Sequence, residues 1–231
     1  MPVWSAKTSD GCEPYEQHVA GAIEQWMLLR ERCLPTLKRL SGGDEDVESV
    51  VERMLRCHDA GKLTHRWQER LNEGGNTPPH AAIGAGVFWL ATEWDSDLRK
   101  AATFAIAIHH VDRGLIGDNI DAPGTQAVMW RLAFEDGRLR WHDEAFDAAD
   151  ASGVPPAALE GLTVDVLEQM ARELRRWARG ESYAAMHRRR LLACALHHLL
   201  RICDVRAANE NRDGFEGSPF VESITKGGMI V

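Results

Sequence analysis

Apolar residues recur at three- and four-residue intervals along most of the chain. The first stripe, Val19, Ala22, Ile23, Trp26, Leu29, Cys33 and Leu37, predicts a helix from Tyr15 to about Leu40, with Pro14 suited to its first turn. Ser41-Gly42-Gly43 breaks the period and Asp44 is placed to cap the next helix. Val47, Val50, Val51, Met54, Leu55 and His58 share one face of that second helix. Leu63 to Leu71 reads as a short helix, Gly74 to Pro79 as a loop, and His80 to about Trp94 as a helix opened by proline. Asp97 to His110 reads as an Ala- and Ile-rich helix. Val111 to Thr125 has glycines, a proline and no period, the pattern of a surface loop, and residues 126–161 show no legible element. Helical spacing returns over Leu162–Arg179 and Tyr183–Asn209, and the tail 210–231 is expected to be loosely ordered. No alternating strand pattern of useful length is present, so the expected architecture is all-α.

The composition fits one globular domain, expected over 1–209: 231 residues, 44% hydrophobic and 27% charged. No apolar run approaches the ~20 residues needed to cross a bilayer, and the start lacks a basic region followed by an apolar stretch. A cytoplasmic location without membrane attachment is expected. Five cysteines, an odd set with no CxxC, argue against a disulfide framework or a zinc ribbon. A net charge of −8 argues against a surface that grips nucleic acid by bulk electrostatics, because nonspecific affinity comes mostly from neutralising phosphates.

Candidate chemistry centres on Cys57-His58-Asp59-Ala60-Gly61-Lys62. An imidazole beside a carboxylate offers a divalent metal two ligand types, and Gly-Lys brings a cation to where a phosphate would sit. The doublet therefore points to metal-assisted phosphoester hydrolysis. His18, His80, His109, His110 and Asp204 recur before and after it at helix-compatible positions. A histidine on an apolar helix face, taken alone, is more often a hydrogen-bonded core residue than a ligand.

The order His18, His58-Asp59-x-Gly61-Lys62, His80, His109-His110, Asp204 resembles the HD superfamily. In detail it resembles the HD nuclease of type I CRISPR systems, found fused to a helicase or standing alone. Trp4-Ser5-Ala6-Lys7, Trp67-Gln68 and Asp204-Val205-Arg206-Ala207-Ala208 extend the resemblance from about Trp4 to Asn209. It implies an HD-domain helical bundle with a di-metal site. One metal would be held by His18, His58, Asp59 and Asp204, and a second by Asp59, His80, His109 and His110. Asp59 would bridge, and Lys62 would sit near the scissile phosphate. The implied activity is cleavage of single-stranded DNA in CRISPR interference against foreign DNA, through metal-activated water. The ions would be manganese, cobalt, nickel, iron or magnesium, and nitrogen-rich ligands favour the transition metals. An HD-type nucleotide or cyclic-nucleotide phosphohydrolase, which shares the first metal site, is the alternative. A helical partner-binding subunit that metals merely stabilise is a third reading. The chain has no G-x-x-x-x-G-K-[ST] phosphate loop, so ATP hydrolysis is not expected. A separate CRISPR helicase subunit and an RNA-guided target-binding complex are the implied partners.

Other residues have plainer readings. His197 lies seven residues before Asp204 on nearly the same helix face; it is placed to orient that carboxylate, though packing or surface placement, with His198, is favoured. His65 is expected on an exposed helix position, and His142 and His187 in solvent. Trp26, Trp89 and Trp177 read as buried anchors, and Trp67 as a weak candidate for base stacking. Arg188-Arg189-Arg190 reads as a solvated face, with phosphate contact the lesser alternative.

Overall fold

The computed structural model describes residues 2–8, 11–43, 46–74, 77–92, 96–110, 134–135, 138–179 and 182–210. An antiparallel hairpin precedes the helices. Strand β1 (Trp4–Thr8) pairs with β2 (Gly11–Pro14), Ala6 facing Glu13, with an irregularity between Trp4 and Ala6. This short hairpin adds to the expected all-α architecture without displacing it. Its strands are short, and Ser5 and Glu13 are both buried, so the inward positions are polar and hydrophobic alternation never appears.

Pro14, in extended conformation, precedes α1 (Tyr15–Ser41), whose buried face carries Val19, Ala22 and Trp26 and which stops at Gly42 in the left-handed region. Helix α2 (Val47–Cys57) is capped by Asp46, whose carboxylate accepts from the Ser49 amide at 3.2 Å. The cap is therefore not Asp44, which lies outside the described residues. A 3-10 turn (Ala60–Leu63) leads into α3 (His65–Glu73). Helices α4 (Ala81–Ala91) and α5 (Asp97–Ala107) come next. His80 is thus the residue before α4, and His109-His110 occupy the turn after α5, both expected helices being shorter than the periodicity suggests.

The illegible stretch holds β3 (Phe134–Glu135) paired with β4 (Arg138–Leu139), then α6 (Ala145–Ala151) and α7 (Pro156–Glu160). Each is too short to display a helical or strand period. The segment nevertheless pins the 3-10 turn, because the His65 amide donates to Arg140 O at 3.0 Å and the His142 amide to Leu63 O at 2.9 Å. Helices α8 (Val164–Arg179) and α9 (Tyr183–Glu210) complete the described chain. The expected loop over 111–125 and tail residues 211–231 lie outside the described residues.

Helix α9 packs along α1 and across α5, α4 lies on α5, and α2 touches α1, α4, α5 and α9. A common apolar core runs through Trp26, Met54, Leu55, Phe88, Ile106 and Leu174. Burying one such side chain contributes about 1.5–3 kcal/mol, so the core holds the ends of α2, α4 and α5 in fixed relation. Trp89 and Trp177 are buried as expected. All five cysteines are unpaired. Among the described residues, no helix is long and apolar enough to cross a membrane.

Candidate metal centre

Helix α2 ends where the chemistry begins. The His58 amide still bonds Met54 O at 3.0 Å, and the His58 Nδ1 lies 2.6 Å from Leu55 O. A carbonyl only accepts, so Nδ1 carries a proton and Nε2 turns toward the cluster. His109 repeats the arrangement with Nδ1 2.6 Å from Ile106 O. His18, in the first turns of α1, sets Nδ1 3.1 Å from Glu13 Oε1. Its Nε2 lies 3.1 Å from Asp204 Oδ1 and 3.2 Å from Asp59 Oδ2. His80 places Nε2 3.0 Å from Asp59 Oδ1 and 2.9 Å from His110 Nε2.

Distant parts of the sequence thereby converge into two groups. The potential ligand atoms of His18, His58, Asp59 and Asp204 all lie within 4.8 Å of one another, as do those of Asp59, His80, His109 and His110. All seven residues singled out in the sequence are brought together, and Asp59 belongs to both groups.

The donors fit a bound divalent cation. His58 Nε2 and His109 Nε2 are buried with no partner in hydrogen-bond geometry. Each such unsatisfied polar atom costs about 1–3 kcal/mol. Imidazole nitrogens with two carboxylates are a donor set suited to first-row transition metals. Coordination would satisfy the buried atoms at one stroke.

Electrostatics divide the cluster. Burial alone would raise the Asp59 carboxyl, but the Lys62 ammonium and the His58 imidazole hold it well below the usual carboxylate range, helped by His109 and His18. Asp204 is likewise depressed: His18 and His58 outweigh its burial. His18 is raised to about 10, since Asp204, Asp59 and Glu13 overcome the desolvation that opposes its charge. His80 goes the other way, lowered to about 4 by burial despite Asp59, and burial with the neighbouring His109 and His80 depresses His110.

Two glycines permit the convergence. A Cβ on Gly61 would come within 2.3 Å of His80 O, and one on Gly84 within 2.3 Å of His58 O. The start of α4 therefore rests directly on the His58-Asp59 turn. Gly61 serves this approach as well as bringing up Lys62.

Lys62 Nζ lies 2.6 Å from Asp59 Oδ2 and 3.1 Å from Ser5 Oγ of the hairpin. Gln68 binds the same strand, donating to Trp4 O at 2.8 Å and accepting from the Trp4 amide at 3.1 Å. From the other side, α9 braces the double-histidine turn. Arg201 Nη1 donates to His109 O at 2.8 Å. His197, half-buried on the same helix, is lowered to about 4 by burial and by the neighbouring Arg201 and His109.

Several lesser readings change. Trp67 is 3% exposed and edge-on to His80, which closes it to base stacking. Arg189 pairs with Asp97 at 3.1 Å and lies over Trp177 as a tertiary clasp; Arg188 and Arg190 remain exposed. His65 and His142 are half-buried, whereas His187 and His198 are exposed. Sequence reasoning missed Glu13 and Gly84, and quoted Ser5 without giving it a role. The small-residue run Ala81-Ala82-Ile83-Gly84-Ala85-Gly86 was the available sign that α4 meets another backbone closely.

No family model matches the chain, and no curated protein matches it. Among solved structures, the chain is similar to a CRISPR-associated Cas3 HD domain protein from Methanocaldococcus jannaschii. The identity is 17%, the match covers 87% of this chain and 99% of that one, and the TM-score is 0.63. The likeness establishes the expected HD-domain helical fold.

Proposed function

We propose that this chain, built on the HD-domain fold, is a metal-dependent nuclease that cleaves single-stranded DNA in CRISPR interference. The observation that carries the reading is the shared position of Asp59, whose two buried oxygens face separate groups of imidazoles. One ion would be held by His18, His58, Asp59 and Asp204, and a second by Asp59, His80, His109 and His110. Bound divalent ions of this kind supply a nucleophile from water at neutral pH and offset charge on a phosphodiester.

The protein's own groups do the rest. His58 and His109 are locked by carbonyls of their own helices with Nε2 facing the cluster, so little reorientation accompanies binding. Lys62, held by Asp59 and Ser5, offers an ammonium at the same place for the charge that develops on the phosphate. Imidazole-rich coordination favours manganese, cobalt, nickel or iron over magnesium. Strand separation and target choice would come from a separate helicase and an RNA-guided complex in the cytoplasm.

The test is incubation of purified protein with manganese and either labelled single-stranded DNA or a panel of nucleotides and cyclic nucleotides. Metal-dependent strand cleavage is expected. Phosphate release from nucleotides without strand cleavage would transfer the chain to the phosphohydrolases. Inactivity on both, with metal bound, would leave the cluster a structural one.

A further inference from the structure

We infer that Glu13 is a positioning residue of the metal centre, fixing the tautomer and direction of His18 through its carboxylate. The inference rests on the metal-site reading above. His58 and His109 take their orientation from backbone carbonyls at 2.6 Å inside their own helices. His18 has no such support: its Nδ1 faces Glu13 Oε1 at 3.1 Å, delivered from the hairpin. With Nδ1–H donated to that carboxylate, Nε2 is left for the cation between Asp59 and Asp204.

Burial separates this contact from an incidental surface pair. The His18 and Glu13 side chains are each 1% exposed, and a carboxylate withdrawn from water is costly unless it is matched. An apolar side chain at this place in the hairpin would avoid that cost. The hairpin is also fastened beside the site at three further points: Lys62 to Ser5, Gln68 to Trp4, and the Tyr15 amide to Val3 O at 3.0 Å. Strand β2 is consequently held where Glu13 meets the first turns of α1. A carboxylate behind an imidazole raises its basicity as a ligand, and losing such a partner typically costs about 10–100-fold in metal affinity.

Cobalt titration of metal-free protein, monitored by visible absorption, tests the inference with a readout independent of cleavage. Glu13→Met keeps the volume and removes the acceptor; Glu13→Gln keeps an acceptor and removes the charge. The Met variant should bind the first equivalent about 10–100-fold more weakly with an altered ligand-field spectrum. The Gln variant should stand closer to wild type in both. Unchanged affinity and spectrum in Glu13→Met would overturn the inference, as would a Gln variant no better than Met. Wild-type protein that takes up no cobalt would instead sink the metal-centre reading itself.

Discussion

The two halves of the candidate centre draw on the same two side-chain types yet offer a cation different environments. The group of His18, His58, Asp59 and Asp204 has two carboxylates, with Glu13 behind. The group of Asp59, His80, His109 and His110 has one carboxylate among three imidazoles. Without metal, the first half draws a proton to His18, which is raised to about 10, while the second keeps His80 lowered to about 4 and His110 depressed. One half attracts positive charge; in the other, burial and mutual repulsion disfavour a proton on His80 and His110. Ligand identity alone therefore does not define a site. The count of buried carboxylates around each imidazole does.

The harshest way to break the comparison is to remove what the halves share. Asp59→Ala should lose both ions and reduce strand cleavage to background while the helical circular dichroism persists; full activity would end the two-ion proposal. Separating the halves comes next. Asp204→Ala and His110→Ala should each lose one equivalent of metal, measured by atomic emission after dialysis, and loss of both from either variant would show that the halves are not independent.

Lys62→Met should keep both equivalents and lower turnover by ~10²-fold, because its ammonium serves the phosphate rather than the ions. A drop in metal content would reassign it to holding Asp59. Gly84→Ala should destabilise the fold by about 1–3 kcal/mol in denaturant titration, since the new methyl meets the His58 carbonyl. An unchanged midpoint would mean that α4 shifts freely.

The remaining contrast runs through pH, in metal-free protein. His80 is lowered from 6.5 to about 4, so the unfolded chain takes up the extra protons and stability falls as pH drops through that window. His110 acts in the same direction. His18 is raised from 6.5 to about 10, so its contribution is complete below 6.5 and is lost as pH rises through about 10. Thermal melts should show both limbs, with His80→Gln flattening the acid side and His18→Gln the alkaline side. Identical profiles in the two variants would contradict the division.

Much of the fold was legible because long amphipathic helices repeat their apolar stripe often enough to be counted, as in α1, α2 and α8. The hairpin was not, since its inward residues are the polar Ser5 and Glu13, nor were α6 and α7, which are too short to show a period. Site residues were legible where two chemical groups sit side by side, as in His58-Asp59 and His109-His110. Glu13 carried no such sign: a glutamate before a helix looks like any surface acid until burial sets it against His18.

Sequence by itself determined the helical periods, the side chains available for coordination and their order along the chain. Tertiary structure alone decided that α4 approaches closely enough, over Gly61 and Gly84, for Asp59 to face two groups at once, and that three carboxylates surround one imidazole while burial isolates another. The physical reason is range. Periodicity and propensity act over a few residues, whereas charge, desolvation and coordination act across the few ångströms between groups that up to 186 positions of sequence keep apart.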